Sequence, residues 1–153
     1  MKLQQIAEKN INYNSRKVKS TLDIVQFINS FEELDKLAEE ITLQICLNNK
    51  NQIIAYTEIA KGRINSCNVD MKTIFKTVLI CNASKFIIVH NHPSGDVEVS
   101  EKDIEVTEHI KKAATIMNID FVDHIIIADN KYKSCMFEKK VKELKKEWME
   151  KKF

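Results

Sequence analysis

The stretch KFIIVHNHPSGDVEVSEKD, residues 85–103, carries the strongest fold signal in this 153-residue chain. Its first part, Lys85 to His92, contains the apolar run Phe86 to Val89 and predicts a buried β-strand. Pro93 and Gly95 follow directly, although the whole chain has only one proline and two glycines. Because proline fixes φ and glycine tolerates positive φ, the sequence predicts a sharp change of backbone direction at residues 92–96, and a functional site is expected there.

A helix is predicted immediately after this turn. Ser100 is typical of a helix N-cap, and the helical pattern ends near Asn118. Asp103 lies in the first turn and begins the inward-facing stripe of this helix. The apolar members of the stripe are Val106, Ile110, Ala113 and Met117. Ser100 and Asp103 also match a capping box, so a purely structural role for this carboxylate stays open.

The residues before this stretch predict a helix and a hairpin. Ser30 and Glu33 match a capping box, and apolar residues recur after them at helical spacing: Leu34, Leu37, Ala38 and Ile41. Residues 42–47 alternate between apolar and polar side chains, and the polar segment 48–51 leads into a second extended stretch, Ile53 to Ala60. These two stretches predict a β-hairpin.

Three further elements are predicted from hydrophobic periodicity. Asp70 predicts the N-cap of a helix whose apolar face comprises Met71, Ile74, Phe75, Val78 and Leu79. Residues from Phe121 to Ala128 predict another strand. From Phe137 onward, a last amphipathic helix is predicted, which is expected to dock on the domain, with docking on a partner as the alternative. Its apolar positions are Val141, Leu144 and Trp148. The expected fold is a single α/β domain with a mixed central β-sheet flanked by helices.

Charge divides the chain into three parts. The 24 Lys and Arg against 22 Asp and Glu give a net charge of +2. Residues 1–20 contain five basic residues and one Glu, and residues 139–153 contain seven Lys and three Glu, so each end carries +4 and the middle −6. We predict a basic N-terminal segment 1–20, a folded domain 21–138 and a Lys-rich C-terminal amphipathic helix 139–153. Solvated faces are the usual role of such ends, and contact with nucleic acid is the alternative.

Neither a signal peptide nor a membrane span is predicted, since the N-terminus lacks an apolar core region and the apolar runs are short. The hydrophobic fraction of 44% and charged fraction of 30% are ordinary for a globular protein. No CxxC pair occurs among the four cysteines, which are expected to be reduced thiols: Cys46, Cys67, Cys81 and Cys135. A soluble cytoplasmic protein is the expectation.

His90 and His92 are candidate metal ligands. One residue separates them, so in a strand both imidazoles point to the same face. Two imidazoles and a carboxylate such as that of Asp103 form the ligand set of a catalytic zinc site, whose fourth position is open to water. Zinc lowers the pKa of that water to about 7, and a carboxylate must then hold its proton. Glu58 interrupts the extended stretch 53–60 and is the candidate general base, although a solvent-facing strand position also explains it.

These residues together form a specific motif. His90 to Asp96, followed by Ser100 and Asp103, resembles the H-x-H-P-x6-S-x2-D signature of the JAB/MPN (JAMM) metalloproteases, and the embedded HNHPSGD resembles the RadC branch. The similarity covers residues 20–138. Shorter similar segments within it are residues 49–54, 58–62 and 123–127.

The resemblance implies a JAB/MPN (cytidine deaminase-like) fold in which Zn2+ is held by His90, His92 and Asp103. It also implies that Glu58 acts as the general base and that Ser100 helps to stabilise the tetrahedral intermediate. A hydroxyl near the metal can donate to a developing oxyanion, although a plain N-cap role explains Ser100 equally well.

Other polar residues near the motif are predicted to be structural. Ser94, Gly95 and Asp96 are expected to shape the loop, and a role for Asp96 as acceptor for a ligand histidine is the less favoured alternative. His109 and His124 are both interpreted as structural.

The sequence therefore predicts a zinc-dependent hydrolase of the JAB/MPN type, a JAMM metallopeptidase that cleaves a peptide or isopeptide bond with metal-activated water. The alternative is a non-proteolytic RadC-like factor in DNA repair or mobile-element biology that binds DNA or a protein partner. Phosphodiester cleavage would use the same ligands, but it requires a phosphate-binding cluster that the acidic middle does not offer.

Overall fold

A computed structural model of the chain describes residues 4–5, 17–63 and 70–152. Its helices and strands, in chain order, are β1 (Gln4–Gln5), α1 (Thr21–Asn29), a short 3-10 helix (Leu34–Lys36), β2 (Ile41–Leu47), β3 (Ile53–Lys61), α2 (Met71–Ile80), β4 (Lys85–Asn91), α3 (Glu101–Met117), β5 (Asp120–Ala128), β6 (Lys131–Ser134) and α4 (Cys135–Lys152). Most of the basic segment predicted at residues 1–20 lies outside the described residues, as does Cys67.

The strands form one six-stranded sheet in the order β1-β3-β2-β4-β5-β6. Strands β4 and β5 pair in parallel, and the other neighbouring pairs are antiparallel. A parallel pair needs a long crossover connection, and α3 lies within it. The sheet is therefore mixed, and the α/β prediction is confirmed.

Apolar clusters cover both faces of the sheet. Ile28 of α1 and Val89 of β4 belong to the cluster on one face. Ile110 of α3 and Ile88 of β4 belong to the cluster on the other. All seven residues of β2 and six of the seven in β4 are buried, so these central strands are covered on both sides.

The helix predicted to begin at Ser30 is wrong. Ser30 instead ends α1, where its hydroxyl donates to the carbonyl of Phe27 at 2.6 Å. Only a single 3-10 turn follows, and Ile41 already belongs to β2, where it pairs with Lys61 of β3. Sheet pairing overrides the local helical spacing, and the residues just before β2 form a loop.

The other predicted elements are confirmed. The hairpin consists of β2 and β3. Asp70 caps α2 by accepting a hydrogen bond from the backbone N–H of Lys72 at 3.0 Å. Ser100 caps α3, which ends where Asn118 adopts the left-handed region at φ 55°. Asparagine tolerates this region better than most residues, which explains why the helix stops there.

The ends of two helices depart from the prediction. Leu79 of α2 and Met117 of α3 are 60% and 42% exposed and do not belong to the core. Thr77 and Ala114 are buried in those last turns instead. Helix α1 was not predicted, although Asp23 marks its first turn by accepting a hydrogen bond from a backbone N–H just before the helix.

Two free thiols lie in the core, as predicted. Cys46 and Cys135 are fully buried, and Cys81 is partly buried. Burial raises the pKa of the Cys46 and Cys135 thiols, so both stay protonated and unreactive.

The first half of α4 is attached to α3. Lys139 forms an ion pair with Glu108, and Lys142 forms one with Glu101 at 3.0 Å. The docking predicted for the C-terminal helix is therefore present at this end.

The second half of α4 presents its apolar residues to solvent. Leu144 and Trp148 are 56% and 61% exposed, so the predicted docking does not extend to them. None of the described helices is long and apolar enough to cross a membrane.

Phe86 provides a test of the core. Its ring stacks on Phe121 with centroids 5.0 Å apart, meets Phe75 edge-on, and is fully buried. Phe86→Ala should lower the free energy of unfolding by about 3–5 kcal/mol, because it leaves a cavity between the sheet and two neighbouring rings. Urea denaturation measures this, with Phe137→Ala as the matched control.

Phe137 is 64% exposed, so its truncation should change the free energy of unfolding by no more than about 0.5 kcal/mol. Equal losses in the two variants would contradict the described packing.

Candidate metal centre

The end of β4 positions the two histidines of the motif. His90 lies within the strand and is fully buried. His92 follows the strand end, where its backbone N–H donates to the carbonyl of Ile127 in β5 at 3.0 Å. This bond continues the extended geometry past the strand, so both rings reach Asp103 of α3.

A tight turn leads the chain away from β4. The N–H of Gly95 donates to the carbonyl of His92 at 3.0 Å, which closes a four-residue turn with Pro93 in its second position. Gly95 has φ +82°, a conformation that favours glycine. The predicted change of direction at residues 92–96 is therefore present.

Ser100 fixes the carboxylate of Asp103. The Ser100 hydroxyl donates to Asp103 Oδ2 at 2.7 Å, and the Ser100 backbone N–H donates to the same oxygen at 2.8 Å. The Asp103 N–H in turn donates to Ser100 Oγ at 3.1 Å. The capping box and the candidate ligand thus use the same residue, because Oδ2 serves the cap while Oδ1 faces His90.

The three candidate ligands converge. His90 Nε2 and His92 Nε2 are 3.0 Å apart. Asp103 Oδ1 lies 3.3 Å from His90 Nε2, and Asp103 Oδ2 lies 3.5 Å from His92 Nε2. Ligand atoms at about 2.0–2.1 Å from a tetrahedral zinc ion lie about 3.3 Å from one another, so these separations are those of a metal site.

The backbone determines which nitrogen of His92 carries the proton. Nδ1 of His92 lies 2.8 Å from the carbonyl oxygen of Asp96. Since a carbonyl only accepts, Nδ1 carries the proton, and Nε2 of the neutral ring has a free lone pair. The acceptor is the Asp96 backbone and not its carboxylate, which accepts from the backbone N–H of Glu98 at 2.9 Å and shapes the loop.

The cluster favours a positive charge at its centre. Burial alone would raise the pKa of Asp103, but hydrogen bonds that His90 and His92 donate when their rings are protonated outweigh this and lower it. The hydrogen bond with Asp103 raises the pKa of His92. Either a proton or a metal cation can satisfy a buried carboxylate between two imidazoles, and the donor set of two nitrogens and one carboxylate oxygen fits Zn2+.

Glu58, predicted as the general base, does not lie beside this cluster. It pairs with Leu43 of β2, which in turn pairs with Val89 of β4. Directly paired residues share a sheet face, and Val89 faces away from the side on which His90 lies. Glu58 is exposed and forms an ion pair with Lys61 at 3.9 Å. The register therefore corrects the prediction.

The carboxylate that reaches the cluster belongs to Glu40. Its Oε1 lies 3.9 Å from His90 Nε2, and its side chain is 13% exposed. Thr42 of β2 pairs with His90 of β4, so the residues just before β2 lie at the end of β4. The sequence does not identify Glu40 as a site residue, because its pattern predicts a helix over residues 30–41. In the structure Glu40 directly precedes β2.

Three hydrogen bonds hold the backbone around Glu40. The side chain of the fully buried Asn91 accepts from the N–H of Ile41 at 2.7 Å and donates to the carbonyl of Glu39 at 3.0 Å. The N–H of Gly62 donates to the carbonyl of Glu40 at 2.7 Å. The residue between the two histidines thus fixes the loop that presents the nearby carboxylate.

A cleft of about 670 Å³ opens onto this cluster. Glu39, Glu40 and Asp103 contribute acidic groups to its lining, and Arg63 and Lys102 contribute basic ones. Its volume is in the range of ligand sites, and two of the three candidate ligands, His92 and Asp103, line it, so a substrate has access to these two.

The remaining histidines of the domain differ in their surroundings. His109 is exposed on α3. His124 of β5 is fully buried, and its Nε2 lies 2.7 Å from Nδ1 of His90. Burial, followed by repulsion from His90, lowers the pKa of His124 well below its usual value, so its ring is neutral. The sequence placed this residue on a strand but gave no signal for its contact with His90.

The fold and the cluster define an α/β domain with a site suited to one metal ion at the carboxyl end of a central strand. A family model for the RadC-like JAB domain matches residues 18–141, and the chain belongs to this family. The predicted JAB/MPN fold is confirmed.

Similar proteins carry the name UPF0758. The UPF0758 protein of Clostridium beijerinckii is 38% identical over 121 residues, which cover 79% of this chain and 52% of that protein. The one from Desulforamulus reducens is 44% identical over 103 residues, covering 67% and 45%. A UPF0758 protein of Staphylococcus aureus is 38% identical over 123 residues, covering 80% and 56%. The chain spans about half the length of the curated relatives it matches.

Metal binding is the first test of the cluster. The full chain, purified without a metal-binding tag, is expected to hold one zinc ion, and His92→Ala should abolish stoichiometric binding because a ligand nitrogen is lost. His109→Ala is the matched control and should bind as the unaltered chain does. Elemental analysis and calorimetric titration measure both, and a folded chain that takes up no zinc would disprove the site.

Zinc affinity should also depend on pH. Metal binding requires the unprotonated Nε2 of His92, and Asp103 raises the pKa of that ring. An isolated imidazole has a pKa of about 6.5. Because the pKa of His92 is raised above this value, protons compete with zinc for His92 up to a higher pH than they would at an isolated imidazole. Titrations across this range should show affinity falling as the pH decreases through the raised pKa.

In Asp103→Asn, the pH dependence should shift to lower pH, although binding is weaker throughout. An unshifted profile would show that Asp103 does not control the proton on His92.

Proposed function

We propose that this domain is a zinc-dependent hydrolase of the JAMM type that cleaves a peptide or isopeptide bond. The observation that carries the proposal is the convergence of two imidazole nitrogens and the carboxylate of Asp103. A second carboxylate, that of Glu40, lies beside them and lines the open cleft. Membership of the RadC-like JAB domain family supports it.

His90, His92 and Asp103 would hold the metal. A bound zinc ion supplies a Lewis acid that lowers the pKa of water and polarises a carbonyl. The ring of His92 is oriented by the Asp96 carbonyl and the carboxylate of Asp103 by Ser100, so little rearrangement is needed on binding.

Glu40 would serve as the general base. Its carboxylate lies within 4 Å of a ligand nitrogen, which puts it in reach of a water molecule beside the metal. It takes a proton from this water as the water attacks the scissile carbonyl, and it returns the proton to the departing amine nitrogen as the C–N bond breaks. Hydrogen bonds hold the backbone at Glu40 and on both sides of it, which keeps this side chain beside the cluster through both steps.

Ser100 is arranged first of all to hold Asp103. Its single hydroxyl proton is donated to Asp103 Oδ2, so donation to an oxyanion requires that bond to break. The role predicted for Ser100 in stabilising the intermediate stays a prediction.

The carboxylates at the cluster favour a peptide over a phosphodiester substrate. Arg63 and Lys102 also line the cleft, but Glu40 and Asp103 are the charged groups beside the two histidines, and they would repel a phosphate group at the reacting position. A neutral amide carbonyl meets no such repulsion.

Two glutamate variants test the assignment of the base. Glu40→Gln should lower turnover by about 10²–10⁴-fold while zinc content is retained, because the amide keeps the shape but cannot accept the proton. Glu58→Gln is the matched control and should be fully active. Turnover is measured with fluorogenic peptides and isopeptide-linked peptides on zinc-loaded protein.

Loss of activity in Glu58→Gln alone would restore the assignment made from the sequence. A zinc-loaded chain that hydrolyses neither substrate type would show that the proposed function is wrong.

A further inference from the structure

A chain of buried hydrogen bonds runs behind the candidate metal site. His90 Nδ1 lies 2.7 Å from His124 Nε2, and His124 Nδ1 lies 2.7 Å from Thr107 Oγ1. The Thr107 hydroxyl also lies 2.7 Å from the backbone carbonyl of Asp103. His90, Thr107 and His124 are fully buried, so these groups depend on one another for hydrogen bonds. The chain begins at one candidate ligand and ends at another.

The carbonyl at one end sets the direction of every bond. Thr107 has a single hydroxyl proton, and it donates this proton to the Asp103 carbonyl because a carbonyl only accepts. Thr107 Oγ1 must then accept from His124 Nδ1. In the neutral ring of His124 the other nitrogen is unprotonated, so Nε2 accepts from His90 Nδ1. His90 is left with a free lone pair on Nε2, the atom that faces His92 and Asp103.

We propose that His124 and Thr107 are positioning residues for the metal site. They hold His90 in the tautomer with the proton on Nδ1 and fix the ring so that Nε2 is presented to a metal ion. The inference rests on the proposed metal site and adds two residues to it that do not touch the metal.

The location of His90 explains why side chains are needed for this. His92 lies past the strand end and uses a nearby backbone carbonyl, that of Asp96. His90 lies inside β4, whose neighbours β2 and β5 pair with it on both sides and occupy its backbone groups. An acceptor for its Nδ1 must come from a side chain, and β5 places His124 beside it.

Core packing alone does not account for His124. The residues that follow it in β5 are three isoleucines, and an apolar side chain would fill the same space without needing partners. An imidazole at a fully buried position is favourable only when both nitrogens are bonded, which is the arrangement found.

The tautomer can be measured directly, without metal. Two-bond ¹⁵N–¹H correlation spectra of the histidine rings, recorded on the metal-free full chain where its imidazoles are neutral, should show His90 protonated at Nδ1. In His124→Leu the acceptor is gone, and His90 should become a mixture of tautomers. In His124→Gln, whose amide oxygen can accept from Nδ1, the Nδ1–H tautomer should return.

Zinc affinity is the second readout. His124→Leu should lower it by about 10–100-fold, the usual effect of removing a group that orients a metal ligand. His124→Gln should recover most of this loss. Thr107→Val removes the acceptor for the Nδ1 proton of His124 and should also lower zinc affinity. This variant keeps the test usable if His124→Leu does not fold. Ile88→Val is the control, since Ile88 pairs with His124 across β4 and β5 and lies in the same core.

The outcomes separate this inference from the proposed function. The proposed positioning role would be overturned if His90 were protonated at Nε2 in the unaltered chain. Unchanged zinc affinity in His124→Leu would also overturn it. Equal losses in His124→Gln, His124→Leu and Ile88→Val would show that only packing is involved and would also overturn it. If the chain bound no zinc but His90 carried its proton on Nδ1 only when His124 was present, the positioning role of His124 would be supported and the proposed function would fail.

Discussion

The buried side-chain amide of Asn91 fixes the end of β4 against the start of β2. It bonds to the backbone on both sides of Glu40, and its neighbours in the chain are the two histidines of the metal cluster. Because side chains alternate along a strand, the amide of Asn91 lies on one face of the sheet and the imidazoles of His90 and His92 on the other. One short segment therefore positions both histidines and, through the Asn91 amide, the backbone that carries Glu40. Loss of this amide would leave the buried N–H of Ile41 unpaired, at a cost of about 1–3 kcal/mol.

The cluster itself contributes little to stability without a cation. Two imidazole nitrogens and a carboxylate are gathered at 3.0–3.5 Å, largely out of water. Groups that must be desolvated and aligned in this way are costly, and proteins keep them where function requires it. A metal that binds only the folded chain would stabilise it by mass action, so the domain should be more resistant to unfolding when loaded.

Features that depend on neighbouring residues in the chain could be predicted from the sequence. Residues 85–103 have strand periodicity, turn residues and a capping box in succession, and the structure contains each of them. The sequence predicts a helix that runs into β2 because Leu34 to Ile41 have helical spacing, whereas Ile41 pairs with β3 and Thr42 with both β3 and β4. Glu40 and His124 reach the cluster through sheet register, including an irregularity between Phe86 and Ile87, which a single sequence does not reveal.

The three candidate ligands lie within fourteen consecutive residues, from His90 to Asp103. Closing so short a loop costs little conformational entropy, so the candidate ligand set depends almost entirely on local sequence. The proposed base comes from fifty residues earlier and depends on a long-range strand pairing. The proposed metal affinity and the proposed turnover therefore depend on different parts of the chain, and substitutions during evolution can remove one of them without the other.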